Sequence, residues 1–164
     1  MDIEIIAIGV GITSLLVLPF VAINKSKNTK HKAQKQELNQ IAASVQSDVA
    51  NFDFGLDFAI GLSSAKNYIF YHKKTQGGSF AKHIPINTIK SCRANEIKRK
   101  VKMRKHSEDM LCKLELVFTF NDDETPPCNL TFYDSDEHYQ INGEFALAKK
   151  WEGIVNEAMA FYIL

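Results

Sequence analysis

The stretch CKLELVFTF, Cys112 to Phe120, puts Cys112, Leu114, Leu116, Phe118 and Phe120 on one parity and Lys113, Glu115, Val117 and Thr119 on the other. A period of two with one apolar side predicts a strand in an antiparallel sheet with one wet face. An acidic loop, NDDETPP, follows, and then Cys128, Leu130 and Phe132 repeat the pattern against Asn129, Thr131 and Tyr133. Two such runs about a turn-rich loop predict a hairpin. Pairing about the loop centre sets Cys112 and Cys128 far apart along the ladder, so no disulfide joins them. With Cys92 there are three cysteines and no C-x-x-C spacing, a pattern that fits buried thiols in a reducing compartment.

The same period of two extends upstream. From Phe52 onward, Leu56, Phe58, Ile60 and Leu62 alternate, SSAKN makes a turn, and Tyr68 to His72 (YIFYH) gives a second strand. KKTQGGS is a loop by composition, because Gly77-Gly78 admits positive φ. In FAKHIPI, Pro85 requires a sheet edge or a strand end, since it has no N–H for a ladder. Ile89 to Ile97 is a fourth strand with mixed faces. Downstream the period becomes helical: from Glu144 to Phe161, Leu147, Trp151, Ile154, Val155, Ala158 and Met159 share a face opposite Lys149, Lys150, Glu152 and Glu157. Strands followed by one amphipathic helix predict an α+β domain: a curved antiparallel sheet with the helix across its opening and Trp151 as the plug.

The N-terminal part has a different character. Ile5 to Ile23 is nineteen residues without a charge, roughly 28 Å long as a helix and close to the ~30 Å hydrocarbon core of a bilayer. Asp2 and Glu4 precede it and no A-x-A-like site ends it, so it reads as a retained anchor rather than a cleaved signal. Lys25, Lys27, Lys30, Lys32 and Lys35 flank one end only, which predicts a single pass with residues 1–4 outside and the C-terminal domain in the cytoplasm. These lysines enforce topology and lie where they would meet anionic headgroups. Within residues 24–50, Leu38, Ile41, Val45 and Val49 form a narrow helical stripe. It reads as a helical stalk, free to pair with a sister chain or to lie against the body of its own. Residues 51–164 remain for the domain, and near-balanced charge excludes a generally polybasic nucleic-acid binder.

Strand order closed by a C-terminal helix, with HIPINTIKSCRA in its middle, resembles bacterial pleckstrin-homology-like (PH-like) domains, here an antiparallel β-sandwich or barrel. KLELVFTF, LTFYD and GEFALAKKWEGIVN are similar to those of an uncharacterised family of short membrane-anchored bacterial proteins. The resemblance implies an inner-membrane location and offers no catalytic residues.

Nor does the sequence carry a nucleophile elbow, a phosphate loop or paired histidines at helical spacing. DSDEH, with Asp134, Asp136, Glu137 and His138, lacks the spaced oxygens and glycine of a calcium loop and reads as a solvated turn. No catalytic residue, metal or cofactor is expected. One polar feature stands out: KRKVKMRK, in which Lys98, Arg99, Lys100, Lys102, Arg104 and Lys105 crowd into eight residues. If extended, it sets Lys98, Lys100, Lys102 and Arg104 on one side, on an exposed edge or a projecting hairpin. Such a segment guards an edge against pairing, or meets anionic lipid or an acidic protein. Nucleic acid is disfavoured, because no aromatic residues are interleaved for stacking. Two roles follow: a membrane-tethered interaction module, or an accessory structural subunit of a membrane complex.

Overall fold

The computed structural model describes residues 29–75, 77–102 and 107–162, so the apolar run 5–23 lies outside the described residues. Among the described residues no helix is long and apolar enough to cross a membrane. The fold is α+β. Four strands, β1 (Asn51–Phe54), β2 (Phe58–Leu62), β3 (Tyr68–Thr75) and β4 (Gly78–Pro85), form one antiparallel sheet in that order. A 3-10 turn (Ile86–Thr88) leads to a second sheet of β5 (Ile89–Lys102), β6 (Ser107–Phe120) and β7 (Cys128–Asp134). Helix α1 covers residues 29–44 and α2 spans Glu144–Ala160.

Most period-two residues do what their parity implies; Tyr133, expected on the wet side, is instead buried in the core beside a register shift between Leu114 and Glu115, and Cys112 and Phe120 are only half-buried. Leu114, Leu116, Phe118, Cys128, Leu130 and Phe132 are buried in one core with Phe58, Ile60, Ile69 and Tyr71 of the first sheet. This fits a β-sandwich. Phe118 lies opposite Cys128, whereas Cys112 lies beyond the ladder of β7 and receives the N–H of Ser135. All three thiols are free. Pro85 ends β4, itself an edge strand, so its missing N–H breaks no ladder.

Several boundaries differ from the sequence reading: α1 ends at residue 44, so Val45 and Val49 of the expected helical stripe lie beyond it, and β5 and β6 run past Ile97 and Cys112. The run beginning at Phe52 is two strands, because Gly55 to Asp57 turns the chain and pairs Phe54 with Ala59. A Cβ on Gly55 would stand 2.0 Å from the Phe58 ring, so only glycine lets that ring fold beneath the turn. KKTQGGS is mostly strand, with Thr75 paired to Gly78 about a short connection.

Helix α1 does not stand clear as a stalk over the residues described. It lies on the outer face of the first sheet, where Leu38 and Ala42 are buried with Ala59 and Phe70. Small residues make this approach possible: a Cβ on Gly61 would lie 3.5 Å from Leu38 Cδ1 of the helix and 2.7 Å from Val49 Cγ1 in the segment that follows it. Gln34 Nε2 donates to the Phe58 carbonyl at 3.0 Å, and Lys30 Nζ donates to that of Leu56.

Helix α2 closes the other side. Trp151 is fully buried and its indole N–H donates to Asp53 Oδ2 of β1 at 2.9 Å. Glu152 Oε1 accepts the Ala94 N–H at 3.1 Å, and Asn156 Nδ2 donates to the Cys92 carbonyl at 3.3 Å. Those backbone groups belong to β5, an edge strand of the second sheet. The helix therefore covers an edge that would otherwise invite pairing.

Candidate functional site

Strand β7 pairs with β6 only from Lys113 to Phe118, whereas β5 pairs with β6 out to Lys102 and Ser107. Beyond Lys113 the two strands form a two-stranded ribbon, and its basic strand holds Lys98 to Lys102. At ~3.4 Å per residue, five residues carry the ribbon about 17 Å past the end of β7. The projecting hairpin expected from KRKVKMRK is thus present as far as the described residues go; Arg104 and Lys105 lie outside them, and of Lys102 only the backbone is described.

Acids on both strands of the ribbon temper the basic charge. Lys98 Nζ pairs with Glu96 at 2.7 Å, and that hydrogen bond holds its ammonium above the ordinary lysine range. Lys100 lies opposite Asp109 and Val101 opposite Glu108. Arg99 lies opposite Met110, which is exposed, as is Ile97 at the ribbon's base. Among the described residues Arg99 and Lys100 make no ion pair and are exposed. The run KRKVKMRK reveals the cations; the acids that face them come from a return strand whose register no local pattern displays.

A second polar group was hidden in the sequence. Lys73, 6% exposed, places its ammonium 2.6 Å from Glu137 and 3.4 Å from Asp57, and His138 Nε2 lies 3.1 Å from the same Asp57 oxygen. DSDEH is therefore more than a solvated turn. Asp134 is buried and pairs with Lys113 at 2.8 Å, Glu137 reaches Lys73 of β3, and His138 reaches Asp57 in the β1–β2 turn. Burial opposes ionisation of Asp134, but its bonds to Lys113 and the Asp136 N–H prevail and hold the carboxyl below its ordinary range. Asp57, Glu137 and His138 bring three ligand atoms within 4.8 Å of one another. The Lys73 ammonium already occupies the place of a cation there, so the group is an ion-pair staple between sheets.

Two buried nucleophilic groups, Cys92 and Tyr71, are held in their protonated forms. Burial first, then the negative charge of Glu152, pushes the Cys92 thiol up to about 12. Tyr71 is raised by burial and by Asp57, and its hydroxyl donates to the Thr131 carbonyl. A cleft of about 560 Å³ opens at the opposite end of the sandwich between Ile84, Pro85, Phe120 and Pro126, with Lys82 and His83 at its rim.

Of the flanking lysines, Lys25 and Lys27 lie outside the described residues. Lys30 is engaged by Leu56, Lys35 holds its ammonium 4.4 Å from the Phe52 ring centre, and Lys32 is exposed. No protein-family model matches this chain, and no curated protein or solved structure matches it. The functional reading rests on the residues themselves.

Proposed function

We propose that this chain is a membrane-tethered, non-enzymatic interaction module that presents a PH-like domain at the cytoplasmic face of the inner membrane. The observation that carries the reading is the projecting β5–β6 ribbon, with Arg99 and Lys100 exposed and without ion pairs among the described residues. Most other buried or half-buried charges, namely Asp53, Asp57, Lys73, Asp134, Glu137 and Glu152, are paired within the fold. A charge left for solvent on a projecting arm is available to a ligand, and for a tethered domain anionic lipid is the nearest. The order of four strands, three strands and a closing helix supports the PH-like label. The uncharged run 5–23 and its lysine flank support the anchor and its direction.

Vesicle co-sedimentation tests the lipid arm of this proposal. The fragment must begin at residue 29, because one beginning at Ala50 strips Leu38 and Ala42 from Ala59 and Phe70. Residues 29–164 are expected to sediment with acidic vesicles at low salt, to be released as salt shortens the ~10 Å Debye length, and to lose binding when Lys98, Lys100, Lys102 and Arg104 are changed to glutamate. Absence of binding by the unchanged fragment at low salt removes lipid as the ligand and leaves an acidic protein surface.

A further inference from the structure

We infer that one end of the domain, the one built from the β1–β2 turn, the part of the β5–β6 ribbon that holds Arg99, Lys100 and Met110, and the β7–α2 loop, rests on the anionic bilayer that holds the anchor. The inference depends on the tethered reading above and specifies the surface and the lipid class. In an antiparallel meander, the connections that follow odd-numbered strands lie at one end, and here that holds for β1, β3, β5 and β7. The ion pairs of Glu137 and His138 with Lys73 and Asp57 join the loop after β7 to the turn after β1, so both sheets share this end.

Helix α1 starts at the same end. Lys30 bonds Leu56 in the β1–β2 turn, and the His31 ring stacks on Phe54 with centroids 4.5 Å apart. The helix then descends until Asp48, beyond its end, accepts from Ser64 in the β2–β3 turn at the far end. Only residues 24–28 separate the apolar run from residue 29. Those six residue steps reach at most roughly 20 Å. The far end of the sheet is about 24 Å further off, the length of α1 at 1.5 Å per residue. A tether this short keeps the near end against the headgroups.

What that end exposes suits a lipid interface. Tyr139 is fully exposed, and Ile141 and Phe145 are exposed beside it on the β7–α2 loop and the first turn of α2. The ribbon adds Arg99, Lys100 and Met110, and the bond from Ser135 N–H to the Cys112 carbonyl joins loop and ribbon. Amphipathic aromatics settle at headgroup depth, and each nearby cation attracts an anionic surface. Asp109, Glu108 and Asp136 share this end and moderate the attraction. Each contact is weak alone; together they bind an acidic surface, and confinement by the tether adds to that binding.

The test uses the full chain reconstituted into phosphatidylcholine–phosphatidylglycerol vesicles whose acyl chains carry bromine, a short-range quencher of tryptophan. Native Trp151 is fully buried and supplies a constant background. Tyr139→Trp places a probe at the near end, and Asp123→Trp places one in the exposed β6–β7 loop at the far end. The near probe should be quenched and the far probe unchanged. Arg99→Gln and Lys100→Gln should each weaken the contact about fivefold, as should salt or omission of phosphatidylglycerol in combination. A near probe as bright in brominated as in plain lipid, or a far probe quenched equally, overturns the inference. If the chain still floats with the vesicles in that case, the tethered reading survives and this end belongs to a protein partner. If the chain does not float, both fall.

Discussion

Trp151 is fixed both by packing and by its indole N–H. Its rings fill the space between the sheets, while Asp53 accepts from its Nε1 at 2.9 Å and from Lys150 at 2.7 Å. Trp151→Ala should cost about 3–5 kcal/mol, the range for a large buried aromatic. Trp151→Phe should cost less but still lower the denaturant midpoint, because it leaves Asp53 without one donor. Urea melts of the whole chain in detergent measure both; a change within about 0.5 kcal/mol for alanine means the helix is not packed there. Glu152, next in sequence, makes a pH-dependent contribution. Its hydrogen bond from Lys149, and next the Ala94 N–H, hold its pKa below the ordinary glutamate range. A depressed folded pKa gives stability that is present above the unfolded value, about 4.3, and is lost as pH falls through the folded one. The stability gap between the native chain and Glu152→Gln should therefore be constant above the unfolded value and narrow as pH falls through the folded one. A gap that does not narrow on acidification contradicts the assignment.

Elements show where sequence reading succeeds and where it ends. The hairpin of β6 and β7 and the face of α2 were legible because each has one buried side, which prints its period directly onto the chain. The first sheet is different. Phe58 to Leu62 is buried on both faces, since α1 covers the outer one. The inner parity of Phe58, Ile60 and Leu62 is visible, yet the sign of the covering helix is only the smallness of Ala59 and Gly61 between them. Gly61→Ala should cost about 1–3 kcal/mol, because Val49 Cγ1 at 2.7 Å and the Asn51 carbonyl at 3.3 Å leave no room for a methyl. The same change at Gly153, where nothing lies within 4 Å of a Cβ, should leave stability unchanged or raise it. Thermal melts of the pair decide whether the segment after α1, with Val49, packs on β2. The Lys73 staple escaped for another reason: its acids lie 16 residues before it and 64 after it in the chain. Only the folded topology joins them. Lys73→Met should cost about 3 kcal/mol by stranding two carboxylates, and Asp57→Asn with Glu137→Gln in the same chain should recover part of that.

At the scale of the whole molecule, a helix laid on the sheet and a projecting ribbon reach the same end of the domain, the end to which the proposed tether leads. The proposed orientation draws on lysines at one flank of an uncharged run, a charge asymmetry written locally in the chain. The candidate binding end was not legible there, since the loop of Tyr139 and the ribbon of Arg99 fall at one end only through the pairing of three strands. The central claim is that this domain is held at the cytoplasmic face by residues 5–23. A fusion of a reporter that is active only in the cytoplasm, placed after Leu164 and assayed in membrane pellets washed with alkaline carbonate, tests it in one step. The account predicts reporter activity that stays in the washed pellet and moves to the supernatant when residues 1–23 are deleted. Activity in the supernatant from the full chain, or a membrane-bound but inactive reporter, contradicts it.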